Sequence, residues 1–147
     1  MIRPATPLDK PALLRMLGSY RMASPLEFHK TTDLAHAGLI VDAILSGAGM
    51  AWVAEDSKDV YGMLLVIKNP NIWNPKVMAL HELAYWVDPE MRGGSAGYKL
   101  LLHYTQYAEK LKQEGAITYY TVSKMVTSPD LDYSRFGFSK LEEMWRA

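Results

Sequence analysis

WVDPEMRGGSAGYKLL, residues 86–101, carries an apolar run into a helical pattern through a turn that holds three glycines. The stretch before it, VMALHELAYWVD (77–88), is nearly all apolar. Its length and composition suit a central strand covered on both faces. After it, Gly97, Leu100, Leu101, Tyr104, Ala108 and Leu111 recur at helical spacing, which predicts a helix from about Ala96 to Glu114, closed by Gly115. The junction is therefore strand, glycine turn, helix. The first turn of a helix has backbone N–H groups without intrahelical acceptors, and the helix dipole adds positive charge there. Glycines let a bulky anion come close to that backbone. Arg92, Gly93, Gly94, Ser95, Ala96 and Gly97 thus read as a phosphate cradle with a cation at its mouth. Glycines alone would favour a turn with no ligand; the strand before, the helix after and the arginine at the mouth shift the reading to the cradle. No Gly-Lys-Ser/Thr follows, and Gly-x-Gly-x-x-Gly is absent, so the turn is neither a triphosphatase loop nor a dinucleotide fingerprint.

Outward from the turn, the periodicity gives the other elements. MIR predicts a short first strand, and TPLDKPALLRMLGS a helix started by Thr6 and Pro7 and ended at Gly18. Residues 19–30 read as a polar-aromatic connection. A second helix follows in TTDLAHAGLIVDAILSG, with Leu34, Ala37, Val41, Ile44 and Leu45 on one face. MAWVAE (50–55) and VYGMLLVI (60–67) read as strands, and NPNIWNPK (69–76) as a loop. AITYYTV (116–122) predicts a strand, residues 128–137 a short helix, and FSKLEEMWRA a last, partial strand. The order β-α-α-β-β-β-α-β-α-β implies a mixed sheet with helices, an α/β or α+β fold.

The 147 residues show no repeat or long linker and fit a single domain, 1–147. Sixteen basic and sixteen acidic residues balance, which argues against nucleic acid or an anionic membrane as partner. There is no cysteine, which excludes disulfides and a cysteine nucleophile. No apolar run reaches the roughly 18 residues of a membrane span, and MIRPATPLDK lacks a signal-peptide core. We expect a soluble, cytoplasmic chain. His29, His36 and His103 are scattered without ligand spacing, so no metal site is expected.

VDPEMRGGSAGYKLL resembles the acetyl-CoA loop of the GNAT (Gcn5-related N-acetyltransferase) superfamily, which reads Arg-Gly-x-Gly-x-Gly/Ala before an apolar helix. Arg92, Gly93 and Gly97 match it, and Ser95 stands where a second glycine is usual. IRPATPLDKPALLRML is similar to the family's opening strand and helix. YSRFGF (133–138) is similar to its C-terminal Tyr-x-x-x-Gly-Phe signature. The predicted element order is also the family's. Two departures are the absence of the Asn that many members carry before the tyrosine, and a C-terminus too short for a full final hairpin.

The resemblance implies transfer of an acetyl group from acetyl-CoA to a primary amine, directly within a ternary complex. It implies that residues 92–97 grip the pyrophosphate of coenzyme A and that backbone near Val87 pairs with the pantetheine arm. It implies Tyr133 as the general acid that protonates the leaving thiolate. His81 and Glu82 on the central strand are both candidates for the base, with solvent as a third. Strand parity groups His81 with Leu83, Tyr85 and Val87, and Glu82 with Ala84 and Trp86, unless a bulge resets it. A histidine needs no shift to work near neutral pH, whereas a glutamate must be raised by burial or work through water. The acceptor, a small molecule or a protein, is expected between the first two helices and the 69–76 loop, with Tyr20, Phe28 and Trp73 as candidate walls. A homodimer would be in keeping with the resemblance. A GNAT fold that only binds and acts through a protein partner is the alternative reading. An unrelated nucleotide-binding domain would leave the tyrosine motif unexplained.

Overall fold

A computed structural model describes residues 1–27, 31 and 33–147. In chain order the elements are β1 (Ile2–Pro4), α1 (Lys10–Met22), α2 (Leu34–Ala43), β2 (Gly49–Glu55), β3 (Val60–Pro70), β4 (Met78–Val87), α3 (Ala96–Gln113) and β5 (Tyr119–Thr121). The five strands form one sheet in the order β1-β2-β3-β4-β5. The first three pairings are antiparallel; β4 and β5 are parallel, joined by α3 as the crossover.

Both faces of the sheet are covered. Leu64, Val66 and Leu80 pack with Leu100, Leu101 and Tyr104 of α3. On the other face Val53, Met63 and Leu65 pack with Leu13 and Met16 of α1 and Val41 and Ile44 after it. This double cover is why β3 and β4 read as nearly continuous apolar runs. At the sheet edge Arg3 forks between Asp9 and Glu55, tying β1 to the start of α1 and the end of β2. That pairing holds the Asp9 carboxyl below its ordinary range.

Several predicted boundaries shift. The first helix starts with a 3-10 turn at Pro7–Asp9 and runs through Gly18 to Met22, because Met16 and the neighbouring apolar residues keep it on the sheet. Leu34 is exposed rather than packed, while Val41 and Ile44 are buried. The second helix ends in a π-helical turn at Ile44–Ala48. β3 extends through Asn69 and Pro70 as far as its pairing with β4 lasts. β5 contracts to three residues, and the expected 128–137 helix is a single 3-10 turn at Tyr133–Phe136.

Among the described residues no final strand follows that turn; residues 139–147 run exposed. Leu141, Met144 and Trp145 do not alternate, and four of the last ten side chains are charged, so the segment offers no strand face to bury. Phe28, His29, Lys30 and Thr32 lie outside the described residues, so the expectations for Phe28 and His29 go no further.

Candidate active site

The site is made by an irregularity in β4. His81 pairs with Ile67 and Glu82 with Val66, but Ala84 pairs with Leu65, leaving Leu83 as an extra residue. This is a β-bulge, and it resets the alternation. Before it, Leu80 and Glu82 share the α3 face; after it, Tyr85 and Val87 do. The bulge that the sequence left open is present, and the plain alternation is corrected: Glu82 joins the face of Tyr85 and Val87, and His81 is turned to the other face. The parallel pairing with β5 stops at His81–Thr121, two residues short of the bulge. Beyond it the Ser123 N–H turns to the Glu82 side chain, donating to Oε2 at 3.2 Å.

Glu82 is 8% exposed. Burial pushes its carboxyl up to about 7, against a smaller downward pull from the Ser123 N–H. Tyr133 comes to the same place from the C-terminal turn: its Oη donates to the Ser123 carbonyl at 3.3 Å. One backbone residue thus touches both side chains. The Tyr133 phenol is raised to about 12 by burial, then by the charges of Glu82 and Tyr20. Tyr85 and Tyr104 are raised for the same first reason, with Glu82 contributing to both. His81 is engaged elsewhere, its Nδ1 2.8 Å from Thr121 Oγ1 and its ring edge-on to Tyr119. The structure brings Glu82 and Tyr133 together and leaves His81 out.

The glycine turn has an internal frame. Gly93 has φ +103, a conformation L side chains rarely adopt, and nothing lies within 4 Å of where its Cβ would stand. Ser95 precedes α3 as its N-cap residue without a side-chain cap bond, and its carbonyl accepts from Lys99 N. The N–H groups of Ala96, Gly97 and Tyr98, the first turn of α3, have no intrahelical acceptor. Gly97 lies where α3 approaches β4: a Cβ there would stand 3.4 Å from Tyr85 Oη, which donates to the Gly97 carbonyl. Arg92 is held on two sides, its Nε donating to the Val87 carbonyl at 2.8 Å and its guanidinium stacked 4.5 Å from the Trp86 ring centroid. Trp86 is fixed by its Nε1 donating to Asp88 at 2.9 Å, and Asp88 is clamped by both terminal nitrogens of Arg15 in α1. Open backbone, unpaired N–H groups and an immobilised cation are what a pyrophosphate needs, so the turn fits one.

Between Glu82 and the turn, Tyr85 and Val87 lie on the same face of β4. Asp88 N donates to Tyr61 O at 2.8 Å, so 61–88 is a hydrogen-bonded position of the ladder. By alternation the polar backbone of Tyr85 and Val87 points away from β3, toward the side where β5 has ended. The Val87 carbonyl is taken by Arg92, which leaves its N–H on that side.

Sequence reasoning missed Ser123, Asp88, Trp86 and Tyr85 as parts of this arrangement. Ser123 acts through its backbone, which no residue identity signals. Trp86 and Asp88 flank the turn and carried a findable cue: a polar-tipped aromatic and a carboxylate at the end of an apolar strand. The aromatic acceptor wall is not assembled as expected. Trp73 is 88% exposed at the β3–β4 connection, while Tyr20 packs edge-on against Trp86, and no ring contact joins them among the described residues. Among the described residues there is no group of three or more His, Asp or Glu that could hold a metal ion, and no helix long and apolar enough to cross a membrane.

The acetyltransferase (GNAT) family model matches residues 15–138. Among solved structures, a GCN5-related N-acetyltransferase from Ralstonia eutropha JMP134 is similar with a TM-score of 0.70 at 20% identity, over 100% of this chain and 97% of that one. A Trypanosoma brucei acetyltransferase gives 0.69 at 18%, over 100% and 97%. An integron cassette protein from the mobile metagenome of Cole Harbour Salt Marsh gives 0.70 at 17%, over 99% and 88%. At such identities these structures speak for the fold alone. Among curated proteins, none matches. The family match spans most of the sequence and contains β4, the glycine turn and the Tyr133 motif: this chain belongs to the GNAT acetyltransferase family and is an acyltransferase, of a family whose acyl donor is acetyl-CoA.

Proposed function

We propose that this enzyme transfers an acetyl group from acetyl-CoA to a primary amine directly, with Glu82 as general base and Tyr133 as general acid. The observation that carries the proposal is the convergence of both side chains on Ser123 at the end of the β4–β5 pairing. Acetyl-CoA, when bound, supplies the thioester carbon that the amine attacks. Arg92 and the backbone of Gly93, Gly94, Ser95, Ala96 and Gly97 bind its pyrophosphate, and the free N–H of Val87 orients the pantetheine arm. Glu82 takes a proton from the incoming ammonium or amine. A carboxyl raised to about 7 is a competent base near neutral pH, because it still ionises there and holds the proton it gains. Tyr133, neutral because its phenol is raised, gives its proton to the departing sulfur.

Two features favour Glu82 over His81 as base. The His81 ring nitrogen is bonded to Thr121, and its side chain lies on the opposite face from Tyr85 and Val87. The test begins with calorimetric titration of acetyl-CoA, with coenzyme A and ATP as controls. Micromolar binding that Gly93→Glu abolishes is the expected result. Unchanged affinity in that variant would remove the turn from the binding site.

A further inference from the structure

The chain from Ser123 to Tyr133 leaves the end of β5 and returns to it as a loop. The backbone bonds inside it are short-range turns, Ser128 N to Met125 O and Leu131 N to Pro129 O, and neither crosses the loop. Side chains close it instead. One closure is the 3.3 Å bond from Tyr133 Oη to the Ser123 carbonyl. The other is Lys124, the next residue along. Its Nζ donates to the Asp130 carboxylate, and to the Leu131 carbonyl at 3.2 Å. The same ammonium stands 5.7 Å from the centroid of the Tyr133 ring. A surface lysine–aspartate pair alone contributes little. Lys124 differs in that carboxylate, carbonyl and ring all belong to the segment that carries Tyr133.

The two closures have different fates during the reaction. To protonate the departing sulfur, Tyr133 must turn its O–H away from the Ser123 carbonyl, so that closure is given up. The Lys124 bonds do not involve this proton, and they hold the segment while the O–H is in use. Charge acts in the same direction. As the Tyr133 O–H bond breaks and the S–H bond of coenzyme A forms, the phenol becomes a phenolate. A cation over the ring face gains as that negative charge grows. The Asp130 side chain is 96% exposed, so water screens it and it offsets the ammonium only in part. Water returns the proton to the phenolate once the thiol has left.

We infer that Lys124 is a positioning residue for acetyl transfer: it fastens the 130–133 segment and holds the Tyr133 ring in place while the phenol gives its proton to coenzyme A. The inference rests on the acid role proposed for Tyr133.

The test removes the charge and keeps the length with Lys124→Met, and restores the charge with Lys124→Arg. Coenzyme A release from acetyl-CoA is followed with whichever of phenethylamine, putrescine and glycinamide reacts fastest. Lys124→Met should lower kcat by roughly fivefold or more with the KM for acetyl-CoA within about twofold of wild type, and Lys124→Arg should recover most of the loss. In a Tyr133→Phe background Lys124→Met should cost less than about twofold further, because the two residues act as a unit. Wild-type kcat in Lys124→Met overturns the inference, and so does a loss of equal size in both backgrounds. Wild-type kcat in Tyr133→Phe instead removes the acid role, and this inference with it. A second readout needs no turnover. With tyrosine isotopically labelled in the ring, the NMR signals of Tyr133 are identified by their disappearance in Tyr133→Phe. They should shift and broaden in Lys124→Met and return in Lys124→Arg. Unchanged Tyr133 signals overturn the inference whether or not any amine reacts.

Discussion

Glu82 and His81 are neighbours in the chain, and one extra residue in the ladder separates their fates. With Glu82 buried and raised to about 7, kcat/KM should rise with pH through that value and level above it. Glu82→Gln should erase this limb and lower the rate by on the order of 100-fold, whereas His81→Ala should keep it. A limb that survives Glu82→Gln would assign the proton to solvent. Tyr133→Phe isolates a single oxygen. It removes the proton donor and a 3.3 Å bond to Ser123, and leaves the ring packed against Phe138. Turnover should fall by on the order of 100-fold with acetyl-CoA affinity within about twofold of wild type. Wild-type turnover would take the acid role from Tyr133.

The element that matters most is the strand–turn–helix unit, and its frame reaches beyond the glycines. Arg15 in α1 holds Asp88, Asp88 holds Trp86, and Trp86 carries Arg92. Asp88→Ala would leave the indole N–H without its acceptor and Arg15 with only the Val60 carbonyl, so the Trp86 side of the Arg92 clamp should loosen. The expected signature is a KM for acetyl-CoA raised by roughly tenfold with kcat much less affected. A fall in kcat alone would place Asp88 outside the binding frame. At Gly93 the obstacle is the backbone itself. A side chain at φ +103 is strained by about 1–3 kcal/mol, so Gly93→Ala should weaken binding partially where Gly93→Glu abolishes it.

Across the whole molecule, two buried carboxyls pull stability in opposite directions with pH. Asp9 is held below its ordinary value by Arg3, so its contribution is present above the unfolded value of 3.8 and is lost as pH falls through the lowered one. Glu82 is raised, so between 4.5 and about 7 the folded chain keeps a proton that the unfolded chain releases. Stability should therefore decline across that window, by on the order of 3 kcal/mol. Urea unfolding from pH 4 to 8 would show it as a falling midpoint, and Glu82→Gln should flatten the decline. A midpoint that rises over the window in wild type would mean that Glu82 is not buried in solution.

What the sequence determined by itself is local. An apolar run, a glycine cluster with an arginine and a 3.6-residue stripe are fixed by backbone sterics and burial, so β4, the turn and α3 were legible before any coordinates. So was Tyr133, through its spacing from Gly137 and Phe138. The tertiary structure decided what depends on pairing. The bulge at Leu83 arises only where β4 meets β3, and it put Glu82, not His81, on the face of Tyr85 and Val87. The early end of β5 turned the Ser123 N–H to that carboxylate, and the C-terminal segment left the last expected strand unmade. Strand register is a property of two segments together, and one segment's residues do not encode it.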